Sequence, residues 1–186
     1  MTLGEMKQKT LRLIEEYNPE SEYMTDDPDI SAKHNDVTNQ VMFEMARFKK
    51  IPRYVELAVT KGQIIDFATL KQECGKEVYQ LGRVKGVDHE SKAEGTIIKI
   101  LETGTAEIDF FVYPERITAD TSDDYVFELS QDVLEIMPYG IAADLLKSDI
   151  SSEYGSIYAT AFESKLQRLD PRNNLTSIYF EGGVTF

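Results

Sequence analysis

The fold is decided by residues 28–60, PDISAKHNDVTNQVMFEMARFKKIPRYVELAVT, because the spacing of apolar side chains changes within this stretch. Asp27 precedes it as a candidate N-cap, and Pro28 suits the first position of a helix. The helical stripe consists of residues spaced three and four apart: Ile30, His34, Val37, Val41, Met45 and Phe48. Beyond Pro52 the period changes to that of a strand. The stretch therefore predicts a long amphipathic helix that ends near residue 50, followed by a strand.

A small antiparallel β module is predicted from two pairs of strand-like segments. Residues 54–60 and 63–67 form one pair, and residues 96–101 and 106–113 form the other. Each pair has the length and the intervening turn residues of a hairpin. We therefore expect residues 53–113 to form a compact β-sandwich or barrel.

Helical segments on both sides of this module complete the predicted fold. Residues 2–17 begin with a capping-box pair, Thr2 and Glu5, and residues 131–145 and 151–169 carry apolar stripes at helical spacing. The sequence predicts an α+β protein: a bundle of about four helices, interrupted by a small antiparallel β-sandwich or barrel-like module, with an extended C-terminal arm. The predicted parts are the N-terminal helices (1–52), the β module (53–113), an acidic turn with the C-terminal helices (114–169) and the arm (170–186).

Charge and composition narrow the function classes. The chain has 20 Lys and Arg against 33 Asp and Glu, a formal net charge of −13, and this balance excludes a general nucleic-acid clamp with a basic face. Hydrophobic residues make up 41%, enough for a packed core, while the longest apolar runs are too short to span a bilayer. A single cysteine, Cys74, excludes a disulfide scaffold and a cysteine-rich zinc site.

Most of the excess negative charge lies in one window. Residues 101–150 contain two basic against twelve acidic side chains, a net charge of −10. A solvated, solubilising surface is one interpretation of this window, and a surface that repels DNA or meets a basic partner is another. The candidate acidic face, for a channel wall or for docking, consists of Asp120, Asp123, Asp124, Glu128 and Asp132.

Catalytic constellations receive no positive support. Cys74 with His34 or His89 would supply a nucleophile and a base, but a lone cysteine and a histidine on an apolar stripe are more often structural. Glu107 and Asp109 share one face of a predicted strand, where a solvent-facing role outweighs a glycosidase pair. We therefore expect no enzyme activity, no cofactor and no metal site.

The C-terminal segment, residues 170–186, is rich in β-prone apolar residues after the predicted helices have ended. Such a segment is a candidate for adding a strand to a neighbour's sheet edge, and an unstructured tail is the alternative. The candidate anchoring side chains are Ile178, Tyr179, Phe180, Val184 and Phe186.

Three stretches of the chain, residues 28–53, 110–129 and 131–150, resemble the head–tail connectors of tailed bacteriophages, the adaptor or head-completion proteins of the neck. An aromatic strand ends in Tyr113-Pro114 and leads into a Thr- and Asp-rich turn. A short Phe-Glu-Leu strand and a helix carrying Met137-Pro138-Tyr139 follow, and an Asp-Pro-Arg tail comes after the last helix. The order of these segments, rather than any single motif, carries the resemblance.

The resemblance implies a virion structural protein that is made in the bacterial host cytoplasm and located at the neck. Connectors of this family form rings, commonly of twelve subunits, which dock beneath the portal and extend the DNA channel toward the tail. The implied partners are other copies of the chain, the portal protein and a downstream stopper or tail protein. Double-stranded DNA would pass without sequence-specific binding, no membrane would be involved, and the anchoring side chains of the arm would reach into the portal.

Two alternatives stay open. One is another neck or tail component, such as a stopper or a tail terminator, although those proteins are usually smaller and richer in β-structure. The other is a hydrolytic or small-ligand-binding module built on the β domain.

Overall fold

The computed structural model describes residues 1–22, 24–148 and 153–169 of the chain. Within them the fold is α+β, as the sequence predicts, with two small antiparallel sheets between N-terminal and C-terminal helices. The helices are α1 (Leu3–Leu13), α2 (Pro28–Phe48), α3 (Phe67–Cys74), α4 (Gln131–Leu134), α5 (Met137–Leu145) and α6 (Tyr154–Leu169). The strands are β1 (Ile51–Val59), β2 (Ile64–Asp66), β3 (Val78–Lys85), β4 (His89–Lys92), β5 (Ile97–Ile100) and β6 (Gly104–Val112).

The first two helices begin directly after their predicted N-cap residues, Thr2 and Asp27. Thr2 and Glu5 form the predicted capping box at the start of α1, and the carboxylate of Asp27 accepts two backbone N–H groups at the start of α2. α1 ends at Leu13, earlier than the predicted residue 17, and Glu15 beyond it adopts a positive φ of 62°. The long helix α2 has the predicted bounds, and its apolar stripe is at least half-buried from Ile30 to Met45, whereas Phe48 at its end is exposed.

The strands form two three-stranded antiparallel sheets, in the orders β1-β6-β3 and β2-β5-β4. β1 pairs along its whole length with β6, from Ile51 opposite Val112 to Val59 opposite Gly104. Both predicted hairpins are therefore wrong, because β1 and β2 lie in different sheets, and so do β5 and β6. A turn signal is local, whereas pairing is decided by which long apolar faces can be buried together.

The two sheets share one apolar core without closing into a barrel, so the barrel alternative is wrong for the described residues. Ile98 and Ile100 of β5 are fully buried, as are Ile108 and Phe110 of β6. The same buried cluster continues to Met42 and Met45 of α2 and to α5. Helices and sheets are therefore held by a continuous core.

Two elements of the β region were not predicted. α3 begins at Asp66, whose carboxylate accepts the backbone N–H of Thr69 at 2.8 Å, and it ends at Gly75, which adopts a φ of +71°. The hydrogen bonds from the Thr69 backbone and side chain lower the pKa of Asp66. β4 pairs with β5 at the edge of its sheet, where its polar side chains remain in solvent.

The C-terminal helices pack back on the N-terminal ones. The single helical segment expected over residues 131–145 is divided into α4 and α5, and Pro138 lies in the first turn of α5. α6 packs on α5, and the ring of Phe162 approaches within 2.9 Å of where a Cβ on Gly140 would lie. The hydroxyl of Tyr158 donates a hydrogen bond to the Leu13 carbonyl at the end of α1. These contacts join both ends of the described chain.

Candidate functional site

Ion pairs connect part of the candidate acidic face to basic side chains elsewhere in the fold. Three of its five members form salt bridges: Asp123 with Lys7, Glu128 with Arg53 and Lys76, and Asp132 with Lys49. The hydrogen bond from Lys49 lowers the pKa of Asp132. Asp120 and Asp124 are exposed and form no salt bridge with a described residue. The structure thus leaves less unpaired charge on this face than the sequence count indicates, and its role in a channel or in docking stays a prediction.

The extended segment after β6 is held by backbone and amide hydrogen bonds. Asn39 of α2 is buried, and its side chain donates to the Ile117 carbonyl at 2.7 Å and accepts the Ile117 N–H at 2.8 Å. Near the start of α1, the N–H of Leu3 donates to the Tyr125 carbonyl at 2.8 Å. Sequence reasoning missed Asn39, because nothing in the sequence distinguishes it from the neighbouring polar residues Thr38 and Gln40.

The surface of α6 carries exposed apolar side chains. None of its sixteen residues is fully buried, and Tyr154 and Ile157 are 64% and 54% exposed. These two side chains are three residues apart, so they lie next to each other on the surface of the helix. The candidate anchoring residues Ile178, Tyr179, Phe180, Val184 and Phe186 lie outside the described residues.

A cleft of about 660 Å³ opens between α2, the turn after α3 and the segment that follows β6. We call it the aromatic–cation cleft, after five of the residues that line it: Phe43, Arg47, Lys76, Tyr113 and Arg116. The acidic residues Glu77 and Glu115 line it as well. These residues come from three separate parts of the chain, and the candidate residues selected from the sequence do not include them.

Tyr113 lies at the centre of the aromatic side of the cleft, between Phe43 and Tyr79. Its ring lies 5.2 Å from the ring of Phe43 and 4.6 Å from that of Tyr79, measured between centroids. The Tyr79 hydroxyl donates to the Ala46 carbonyl at 2.7 Å, and burial raises its pKa. The cleft wall is therefore a packed aromatic cluster that fixes α2 against β3.

Arg47 contacts this aromatic wall through Tyr113. Its Nε donates to the Tyr113 hydroxyl, and its guanidinium carbon lies 5.4 Å from the centre of the Tyr113 ring. The other cations differ, because Lys76 pairs with Glu128 and Arg116 lies 3.7 Å from Asp36. Among the described residues, no carboxylate forms a salt bridge with Arg47. The cleft therefore brings cationic and anionic side chains together, since Glu77 and Glu115 line it beside these three cations.

His34 lies in the interior beside a second, smaller cavity of about 260 Å³. The Thr38 hydroxyl donates to the His34 carbonyl at 2.7 Å, so its oxygen is left to accept from His34 Nδ1, which lies 3.2 Å away. Burial, with Lys7 nearby, lowers the pKa of His34 to about 4, and Asp123 opposes this shift. The ring is therefore neutral at pH 7, with the proton assigned to Nδ1, and Nε2 has no partner among the described residues.

The remaining catalytic candidates are not brought together. The sulfur of Cys74 lies 3.5 Å from the Lys76 carbonyl, and no hydrogen bond of the described residues joins it to His34 or His89. Glu107 and Asp109 are exposed on β6. They lie opposite exposed residues of β1, as expected for the solvent side of a half-buried strand.

No cluster of three or more His, Cys, Asp or Glu suited to a metal ion occurs in the part of the chain that the structure describes. No helix within residues 1–22, 24–148 and 153–169 combines the length and apolarity needed to cross a membrane.

No protein-family model matches the chain, and no curated protein matches it significantly in sequence.

Proposed function

We propose that this protein is a structural component of a tailed-bacteriophage neck, a head–tail connector that assembles as a ring between the portal and the tail. The observation that carries the proposal is the exposed apolar surface of α6, formed by Tyr154 and Ile157, on a helix without a fully buried residue. Identical neighbours in a ring can bury these side chains between them. The order of segments that resembles connector proteins supports the same function.

In this proposal the subunit consists of a helical bundle and an inserted β region. The helices α1, α2, α5 and α6 form the bundle, and the six strands with α3 form the insertion. The bundle would meet neighbouring subunits, because α6 lies on its surface. Residues 170–186 would be an extended arm that contacts the portal through its apolar and aromatic side chains.

A ring of this kind has heterologous contacts, in which one face of a subunit meets a different face of the next. Such contacts close only when the rotation between subunits divides a full turn. The resemblance to connectors implies twelve subunits, and the exposed apolar residues of α6 belong to one of the two meeting faces. Each contact would then be repeated identically around the ring.

The acidic window suits the wall of a DNA channel. Asp120 and Asp124 are exposed and without an ion pair among the described residues, so they add to the negative potential of any surface that contains them. A basic wall would bind phosphates with the release of counterions and would retain the DNA, whereas an acidic wall repels it. Passage without binding is the property that a channel needs.

Electron microscopy of virions, or of the purified protein mixed with its portal, tests the proposal. We expect a ring at the neck, coaxial with the portal, whose density fits the α1–α6 bundle and the two sheets. Density that placed the chain inside the tail tube or on the capsid surface would overturn the assignment.

The arm has its own test. Deleting residues 175–186 should leave a folded protein, with an unchanged far-ultraviolet circular dichroism spectrum, that binds the portal weakly in sedimentation. Portal binding that survived the deletion unchanged would contradict the role of the arm while leaving the ring itself untouched.

A further inference from the structure

We propose that neighbouring copies of this chain join their sheets, with the end of β3 in one subunit lying parallel to β1 of the next. In this arrangement Lys85 lies beside Glu56 of the next subunit, and Val84 lies beside its Val55. The inference rests on the proposed ring, because it names a contact through which the ring would close.

β1 and β3 are the two edges of one sheet, since β6 lies between them and pairs with both. Both strands run antiparallel to β6, so they run parallel to each other. Among the described residues, no strand pairs with the outer side of β1 or of β3. Subunits that follow one another around a ring by a small rotation keep their strand directions, so β3 of one copy meets β1 of the next in parallel.

The core side of this sheet carries an apolar row whose two ends are incompletely covered. Val55 of β1 and Val84 of β3 both lie opposite Ile108 of β6. Ile108 is fully buried, whereas Val55 and Val84 are half-buried. A strand added at each edge would cover more of these two valines, and burial of apolar surface stabilises the contact.

The solvent side of the sheet carries a charged row at the neighbouring position. Glu56 of β1 and Lys85 of β3 both lie opposite Glu107 of β6. Glu56 and Glu107 are like charges directly opposite each other, an arrangement that destabilises a sheet. None of the three forms a salt bridge with a described residue. In the joined sheet each Lys85 would lie between two carboxylates, Glu107 of its own subunit and Glu56 of the next.

A single register satisfies both rows. Residue numbers increase in the same direction along parallel strands, so a pairing that places Val84 beside Val55 also places Lys85 beside Glu56. The apolar pair then lies on the core side and the charged pair on the solvent side, because successive side chains alternate between the two faces. The edges of one subunit are thus complementary to each other on both faces.

The contact is short, because β3 is irregular between Leu81 and Val84 and the regular pairing begins at Val84. Arg83 and Tyr54 directly precede the matched pairs on the two strands, and the side chain of Tyr54 is 72% exposed. A guanidinium beside an aromatic ring adds a favourable contact at this end. The sheet contact therefore supplements the contact proposed for α6 and does not replace it.

Disulfide cross-linking tests the contact directly. Cys74 is the single cysteine of the chain, so Cys74→Ser gives a background in which Glu56→Cys and Lys85→Cys supply the only thiols. Within one subunit the two positions lie on opposite sides of β6, about 9–10 Å apart, which is too far for a disulfide. When the protein is assembled on its portal, we expect oxidation to give a ladder of cross-linked oligomers on a non-reducing gel.

Lys92→Cys is the matched control for Lys85→Cys, because Lys92 is an exposed lysine on β4, an edge strand of the other sheet. Combined with Glu56→Cys in the same background, it should give no ladder. Glu56→Cys alone should also give none, because each β1 meets a β3 and not a second β1.

Charge reversal measures the contribution of the ion pair. Lys85→Glu should raise the concentration needed for assembly about fivefold or more at low salt, because repulsion replaces an attraction between partly solvated charges. Lys92→Glu makes the same change on β4 and should assemble normally. Combining Lys85→Glu with Glu56→Lys should restore assembly.

The sheet contact and the proposed ring can fail separately. Rings that are visible by electron microscopy but give no ladder would overturn the sheet contact and leave the ring standing. Absence of any assembly with the portal, by microscopy and by ultracentrifugation, would overturn both. Dimers formed by Glu56→Cys alone would place β1 against β1 of another copy, and equal ladders with Lys92→Cys would show random collision, so either result would overturn the contact.

Discussion

His34 shows how far one buried side chain influences the behaviour of this protein. The sequence placed it on the apolar stripe of α2, and the structure buries it with a relative exposure of 4%. The apolar stripe does not reveal the protonation state of His34, because that state depends on the residues that surround the ring in the folded protein. Thr38 accepts from the ring, while Lys7 and Asp123 set the local field. Burial dominates among these effects, and the ring remains neutral.

The depressed pKa of His34 makes stability depend on pH. The pKa is about 4 in the folded protein and 6.5 at its ordinary value, so between these pH values the unfolded chain binds a proton that the folded chain does not. This contribution to folding is fully present above pH 6.5, and it is lost as the pH falls toward 4. We expect it to lower the free energy of unfolding by about 2 kcal/mol between pH 6.5 and 4.5, measured by urea titration.

The matched variant for this measurement is His34→Asn. Its amide keeps an N–H donor for Thr38 but carries no titratable proton. The variant should be less stable at pH 7.5 because the side chain is smaller, yet its stability should change less between pH 6.5 and 4.5. An identical pH dependence in both proteins would show that other groups, such as carboxylates, cause the loss.

Glu128 is the second residue whose importance follows from geometry. It pairs with Arg53 of β1 and Lys76 beside β3, and its side chain is 28% exposed. We expect Glu128→Gln to lower the free energy of unfolding by about 1 kcal/mol, the upper range for a partly exposed pair in a network. Glu77→Gln removes a more exposed pair with Lys71 and should cost only a few tenths of a kcal/mol. Equal losses in urea denaturation would contradict the bridging role of Glu128.

At the scale of elements, local signals predicted helices well and strand pairing poorly. α2 was found because its cap, its stripe and its end are all encoded within about twenty residues. The hairpins were wrong because β1 finds its partner β6 more than forty positions later, and no turn residue encodes that choice. α3 carried an available signal, since Asp66 and Gly75 bracket it as cap and stop. β4 carried none, because an edge strand needs no apolar face.

The contact between α5 and α6 gives a prediction at this scale. A Cβ on Gly140 would lie 2.9 Å from the Phe162 ring, so in Gly140→Ala the ring, or α6 with it, must shift. We expect a loss of about 1–2 kcal/mol in the free energy of unfolding, despite the better helix propensity of alanine. Hydrogen exchange should rise in α6 before the rest of the molecule.

Gly155→Ala is the control for this substitution. Its Cβ would lie 3.4 Å from the Leu146 carbonyl oxygen, an ordinary contact, so the change should be neutral or stabilising by up to about 1 kcal/mol. Adding Phe162→Leu to Gly140→Ala should recover part of the loss. If the effects of the two substitutions on the free energy of unfolding were simply additive, the added methyl group of Gly140→Ala would not be in conflict with Phe162.

At the scale of the whole molecule, the candidate surfaces were only partly predictable. The sequence identified the acidic window, but the ion pairs with Lys7, Lys49 and Lys76 depend on tertiary structure. It could not identify the aromatic–cation cleft, because Arg47 and Tyr113 are 66 positions apart and meet only through folding. Interaction surfaces are assembled from distant segments, and composition alone does not reveal their partners.

The exposed apolar surface of α6 yields the prediction at this scale. If the protein forms the proposed ring, Ile157→Asp should leave the subunit folded and raise the concentration needed for assembly at least about tenfold, equivalent to 1.4 kcal/mol per contact. Ile64→Asp alters a side chain of similar exposure, 60% against 54%, on β2, and it should assemble normally. Analytical ultracentrifugation of both variants with the portal makes the comparison. Equal assembly of the two would remove α6 from the subunit contact.

The pairing of β1 with β6 also determines what happens while the chain is being made. Ile51 leaves the ribosome 61 residues before its partner Val112, which at about 5–20 residues per second is an interval of roughly 3–12 s. During this time β1 is an unpaired strand, with Val55 and Leu57 not yet covered by β6. We expect aggregation in the cell to depend on the rate of translation through this interval, so slower synthesis would favour chaperone capture over misfolding.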